Sequence, residues 1–398
     1  MTRFTATTTA LAALLATTTL AHAGGVERQA QGTSILFEDG NYIEFGYTYV
    51  DPDVSGTQTF GSVGPTLNGS ASGDVAPAYS YSTLALNYEL NENLNFALIY
   101  DHPIGANVNY EPAANGYLYR AGLGSQAEIN STALTAALRY QLNENISVYG
   151  GLRAVVADGN VQLFNGSGAV APGGTERYQL DAQGSTELGF MFGGAYERPD
   201  IALRVALTYY SATDHAFTGT ETNGAGTVAT QFNTTIPQQL LLEAQTGVAE
   251  GTLVFGSIRW TDWSEFQIQP PVFQAQGAAV GDPNAALVSY DNDTFTYTLG
   301  GARRVTEDLA LLASITYEAQ GGGFTGNLGP TDGRTSFGIG ARYDMGDWRL
   351  SGGINYSILG DAVTETPRSL TGGVGGQQYS SFEDNHSIGM GFRIGYSF

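Results

Sequence analysis

The sequence predicts an all-β protein, a 14-stranded antiparallel up-and-down transmembrane β-barrel with long extracellular loops. Three observations carry that reading. Apolar residues alternate with small or polar ones on strand after strand. The connections between strands alternate in length, short then long. Only 14% of the 398 residues are charged, against roughly 25% in an ordinary soluble domain.

The chain opens with an export leader at 1–23. Arg3 gives the positive end, Ala10–Ala16 the apolar stretch, and Ala21-His22-Ala23 a small-x-small cleavage site. The competing reading, a frayed N-terminal helix, lacks the cleavage logic. No Cys follows, so a lipid anchor is excluded. Residues 24–40 form a short segment before the first strand, and 41–398 form the barrel.

Strands are expected at about 41–49, 80–90, 94–102, 130–142, 146–158, 185–197, 201–213, 235–248, 252–265, 292–304, 309–320, 335–345, 348–358 and 385–398. The last shows the pattern best: Ile388, Met390, Phe392, Ile394, Tyr396 and Phe398 oppose Ser387, Gly389, Gly391, Arg393, Gly395 and Ser397. Six short turns join alternate pairs. Long connections are expected at 50–79, 103–129, 159–184, 214–234, 266–291, 321–334 and 359–384. Short turns on one side and long loops on the other suit an outer-membrane barrel. A β-sandwich would mix lengths at both ends. The matching turns Asn91-Glu92-Asn93 and Asn143-Glu144-Asn145 read as shared hairpin chemistry rather than duplication, because Asn tolerates left-handed turns.

Composition closes off other classes. The net charge is −22, so nucleic acid is not an expected partner. Cys is absent, and with it disulfide scaffolds and thiolate metal sites. The aromatics Tyr140, Tyr209, Tyr343, Tyr356, Trp260, Trp263 and Trp348 fall near strand ends, as girdle residues do at a lipid–water boundary. A terminal Phe398 on an alternating strand looks like the signal read by barrel-assembly machinery. The barrel would lie in the outer membrane of a Gram-negative bacterium, surrounded by outer-membrane lipid and lipopolysaccharide.

All 16 basic residues are Arg. Arg139, Arg153, Arg204, Arg259, Arg304, Arg342, Arg349 and Arg393 alternate with the apolar positions and are expected in the lumen, whereas Arg303 falls on the other face near a turn. An Arg facing lipid at mid-membrane would cost about 2–4 kcal/mol. The favoured reading is bracing by ion pairs with Glu89, Glu243, Glu318 or Asp344. The other is attraction of a substrate carboxylate, which the bidentate Arg fork also suits.

Several stretches resemble the FadL family of outer-membrane long-chain fatty-acid transporters, which also includes aromatic-hydrocarbon channels. Tyr49-Val50-Asp51-Pro52-Asp53-Val54-Ser55-Gly56-Thr57 looks like the family's first-loop start. Trp260-Thr261-Asp262-Trp263-Ser264-Glu265-Phe266 is similar to its stretch at the end of strand nine. Thr235-Ile236-Pro237 places a Pro at the opening of strand eight, as in the family. The resemblance covers roughly 33–398.

It implies a route for a long-chain fatty acid or other hydrophobic small molecule. Ligand is caught between the third and fourth long loops, where Leu163, Phe164, Val170, Phe217, Val228 and Phe232 would line a groove or simply pack the loops. It leaves sideways at a kinked third strand, where Asp101, His102, Pro103 and Gly105 mark either that opening or an ordinary strand end. The family's plug is longer and carries Asn-Pro-Ala, absent here. The short N-terminal plug segment would enter the lumen through Ile35, Leu36 and Phe37. A general diffusion porin is the alternative if that segment leaves the lumen open. No enzyme is expected: His22, His102, His215 and His386 stand in no catalytic or metal-ligand spacing. No cofactor is called for.

Overall fold

The structure, a computed structural model, describes residues 26–28, 32–60, 68–165, 176–371 and 373–398. The expected leader lies outside the described residues. Fourteen strands form the wall: β1 (Tyr42–Asp53), β2 (Tyr79–Asn91), β3 in two pieces (Leu94–Asp101 and Gly105–Tyr110), β4 (Ser125–Gln141), β5 (Ile146–Asn165), β6 (Glu176–Arg198), β7 in two pieces (Leu203–Tyr210 and Thr213–Asn223), β8 in two pieces (Gly226–Ile236 and Gln239–Ala249), β9 (Thr252–Thr261), β10 (Thr294–Arg304), β11 (Leu309–Glu318), β12 (Arg334–Met345), β13 (Trp348–Leu359) and β14 (His386–Ser397).

Each wall strand pairs antiparallel with its chain neighbours. The seam is closed by β1 on β14, from Tyr42↔Ser397 to Asp53↔His386. Closure removes the unpaired edges that an open sheet would present to lipid. The alternation fixes which face looks out. Leu299, Ile339 and Leu152 are 60–67% exposed in a folded chain, which lipid explains and water does not. The opposite positions, such as Ser336, Arg342, Asn355 and Ser357, are buried inside.

The wall is not of even height. β4, β5 and β6 have 17, 20 and 23 residues, whereas β9 to β14 have 10 to 12. The shorter strands match what a tilted strand needs to cross a bilayer, about 9–11 residues. The expected long connections at 159–184 and 214–234 are therefore corrected. β5 and β6 continue through much of the first, pairing from Gly159↔Ala182 to Asn165↔Glu176. β7 and β8 continue through the second and meet at Asn223↔Gly226. Above the apolar band their outward residues, such as Asp214, Thr218 and Thr220, are polar. The apolar–polar contrast that marks a strand in lipid is absent there.

Three strands are interrupted. β3 stops at Asp101 and resumes at Gly105, β7 skips Ser211-Ala212, and β8 skips Pro237-Gln238. Pro103 and Pro237 have no N–H for the ladder. Pro237 thus divides β8 rather than opening it, which corrects the expectation. At the loop end, short strands at 55–58, 71–74, 324–325, 362–365 and 378–382 pair into a five-stranded sheet. The connection after β9 folds a helix, α1 (Pro271–Ala279).

Candidate functional site

The described residues of the N-terminal segment pack against the inner face of the wall. Ser34–Phe37 form one 3-10 turn, and Ile35, Leu36 and Phe37 are at most 4% exposed. They pack on Ala85, Ala97, Ala137, Tyr149, Met191 and Tyr210. Phe37 lies between two guanidinium groups, 4.7 Å from Arg139 and 4.4 Å from Arg204, a geometry that favours the ring face. Hydrogen bonds tie this segment to four strands. Thr33 donates to Glu243 on β8 at 2.8 Å, and Arg139 on β4 donates to the Leu36 carbonyl at 3.3 Å. Asn87 on β2 donates to the Gly40 carbonyl at 2.8 Å, and Arg349 on β13 pairs with Glu38 at 2.7 Å.

The break in β3 opens the wall beside β2. β2 pairs with β3 only as far as Leu84↔Tyr100, and Gly105–Tyr110 pairs only with β4. Side chains and the N-terminal segment replace the missing ladder. The two ring nitrogens of His102 each lie 3.1 Å from a carbonyl, Ser131 on β4 and Ser82 on β2. The Ser131 hydroxyl donates to the Ile104 carbonyl at 2.7 Å and accepts from its N–H at 2.8 Å. Glu27 forms an antiparallel bridge with Ile104. Gly105 N–H donates to the Val26 carbonyl at 2.8 Å, and Arg28 N–H to the Pro103 carbonyl at 3.1 Å. A Cβ on Gly105 would stand 2.5 Å from Arg28 Nε, so only Gly leaves that cation its room.

Beside the break lies an apolar chamber of about 450 Å³, counting its open mouth. Ile104 belongs to both the break and the chamber. Ile129, Val161, Leu180, Phe217, Phe232 and Ile236 line it from β4 to β8, and Phe266 and Ile268 from the connection after β9. Phe217 and Phe232 are cross-strand partners stacked at 5.4 Å. The apolar lining is of the kind that hydrophobic ligands contact. The roof is held by Glu221 at the tip of β7, which accepts from Tyr178 Oη at 2.9 Å, Thr230 Oγ1 at 2.6 Å and the Phe273 N–H of α1 at 2.9 Å.

Of the expected groove residues, Phe217 and Phe232 thus face the chamber. Leu163 is buried in the same core, and Val228 is 50% exposed on the hairpin. The Phe164 side chain and Val170 lie outside the described residues. The luminal Arg residues meet acids or polar groups. Arg139 pairs with Glu197, Arg153 with Asp101 at 2.9 Å, and Arg259 with Glu27 at 2.7 Å. Arg342 pairs with Asp344 at 2.8 Å and Arg393 with Glu44 at 3.2 Å, while Arg204 donates to Gln245 at 3.3 Å. Burial pushes the Glu27 carboxyl above its usual range, against the pull of Arg259 and Arg334. Sequence reading missed Glu27, Arg28 and Ser131. Their roles depend on the chain doubling back to β3, which no local pattern announces.

Comparisons with known proteins agree with this geometry. The profile of the family described as outer membrane protein transport protein (OMPP1/FadL/TodX) matches residues 33–398. A Pseudomonas aeruginosa FadL homologue has a similar structure, with a TM-score of 0.75 at 17% identity, covering 94% of this chain and 96% of that one. The Pseudomonas putida toluene transporter TodX gives 0.61 at 14% identity, covering 91% of each chain. The Ralstonia pickettii toluene transporter TbuX gives 0.61 at 12% identity, with 96% and 97% covered. A search of curated protein sequences finds no match. A closed barrel of fourteen strands and a profile match from 33 to the last residue together make this chain a member of the OMPP1/FadL/TodX family of outer-membrane transport proteins.

Proposed function

We propose that the protein is a passive outer-membrane channel for hydrophobic compounds, long-chain fatty acids among them, which leave sideways through the break in β3. One observation carries the reading: the apolar chamber and the wall break share Ile104. Ligand in the chamber is therefore one residue from the membrane interior. A fatty chain gains about 0.8 kcal/mol per CH₂ on leaving water, so no energy source is needed. Val26–Arg28 stands in the break and would have to shift for release.

The export leader at 1–23, the plug at 24–40 and guidance by assembly machinery belong to the same proposal. A transport role without catalysis fits the family, and relatives described as toluene transporters support hydrophobic cargo. The porin alternative sits poorly with a segment tied to four strands across the lumen.

The test is uptake of labelled oleate by cells carrying Pro103→Val with Gly105→Val, beside single-channel conductance in planar bilayers. Uptake should fall at least tenfold while the wild-type conductance stays small. Unchanged uptake would remove the lateral exit. Large, steady, salt-proportional conductance in the wild type would replace the transporter with a porin.

A further inference from the structure

The connection after β9 forms a flap on a firm base. The base is a two-residue ladder, Gln267↔Ser289 and Ile268↔Val288, and the Leu287 N–H donates to the Ile268 carbonyl at 2.8 Å. Trp263, Phe266 and Tyr290 flank that ladder in sequence and pack on one another, with ring centroids 5.4–6.0 Å apart. Between the two arms, residues 269–287 carry α1, and none of its nine residues is buried. Packing of an apolar face is what usually fixes a helix to its protein. A segment with little of it belongs to the part of a fold that opens first.

The anchors of the flap are mostly polar. Past the end of α1, the partly exposed Arg368 donates to the Gly281 carbonyl at 2.9 Å and lies 3.6 Å from Asp282. At the start of α1, the N–H groups of Val272 and Phe273 donate to Glu221 at 3.2 and 2.9 Å, and the Phe273 ring meets Tyr178 at 5.0 Å. Glu221 is fully buried, and its four donors, the two helix N–H groups, Tyr178 Oη and Thr230 Oγ1, are all neutral. A buried carboxylate held in this way depends on each of those bonds. If α1 lifts, Glu221 loses two donors and meets water, which replaces them. A bond exchanged against water opens and closes readily, where a greasy seal would not.

This catch stands directly over the chamber. Glu221 is the cross-strand partner of Leu180, which lines the chamber. Thr230 is the next inward residue above Phe232, another lining residue. Ile268, at the foot of the flap, lines it too. The chamber thus meets the wall break at Ile104, and meets the flap at Ile268 and beneath Glu221.

We infer that residues 269–287 are the entry lid of the chamber, with Glu221 as its catch. Hydrophobic ligand from outside passes when α1 lifts from the β7–β8 hairpin. This rests on the reading that the chamber holds the transported ligand.

The chain has no Cys, so a pair of introduced thiols reports on the lid alone. Val228, across the ladder from Glu221, and Val272, on α1, flank the catch without lending it a side chain. Val228→Cys with Val272→Cys is joined by a short bis-methanethiosulfonate linker, which a reductant removes. Linking should slow association of cis-parinaric acid with the purified protein, and uptake of labelled oleate by cells, by about tenfold or more, as expected of a locked lid. Reductant restores both rates, which separates locking from misfolding. Glu221→Gln should make association and dissociation of cis-parinaric acid both about tenfold faster, the span of a weakened charge-assisted bond, and leave the equilibrium affinity unchanged. A residue that only shaped the chamber would alter affinity instead. Unchanged rates after linking, or a Glu221→Gln effect on affinity without parallel rates, overturns the inference. If linked cells take up oleate normally while Pro103→Val with Gly105→Val blocks uptake, the lid falls and the channel reading stands.

Discussion

The two sides of the barrel meet the same membrane but carry different loads. From β9 to β14 the wall is about as tall as the lipid and stops there. From β4 to β8 the strands run on past the apolar band, and the chamber is built inside that extension. The short side is an unbroken ladder with an apolar exterior. The tall side holds two of the three interrupted strands and flanks the third. Secondary structure on the short side serves to cross the bilayer, and on the tall side to enclose a volume. Where enclosure requires a gap in the ladder, side-chain bonds from His102 and Ser131 take over.

The largest effect should come from the ion pairs that brace these two regimes. Arg153 and Asp101, 2.9 Å apart and both buried, pin β3 where its ladder ends. Asp101→Asn leaves a buried cation unpaired and should cost about 3–5 kcal/mol. Glu318→Gln removes the partner of Arg334 at 3.7 Å inside an intact ladder, and should cost less. Denaturant unfolding in lipid vesicles measures both, and equal losses would mean that the break needs no special bracing.

Exterior charge comes next. Ile339, mid-strand on β12 and 65% exposed, faces lipid, so Ile339→Arg should cost about 2–4 kcal/mol in bilayers. Thr220→Arg, on the outer face of the β7 extension, should leave stability unchanged in the same assay. A comparable loss at Thr220 would put the extension inside the membrane. The smallest effect concerns the join between the sides, where Glu221 receives the N–H groups of Val272 and Phe273. Glu221→Gln weakens charge-assisted bonds worth about 1.5–3 kcal/mol. It should speed proteolysis at the hairpin tip Gly224-Ala225 without loosening β12 or β13. Unchanged cleavage would show that α1 does not hold the roof.

Much of the short side was legible because lipid outside and a polar lumen inside force a two-residue period. His386–Ser397 shows it over the whole strand. The extensions were read as loops because water on the outer face permits Thr, Gln and Asn where lipid demanded Leu and Phe. The β3 break was visible, since Pro103 and Gly105 are local signals. That Phe217 and Phe232 stack as cross-strand partners was not, because their adjacency exists only in the register of β7 on β8. Glu27 and Arg28 were hidden for a similar reason, their partners lying more than fifty residues away in sequence.

The position of the lumen segment also constrains how the molecule is made. Residues 33–40 lead directly into β1, and β1 forms the closing seam with β14, the last strand of the chain. Arg349 on β13 holds Glu38. The lumen segment, the first strand and the last two strands are therefore one connected unit, and the barrel is complete only when both ends of the chain have arrived.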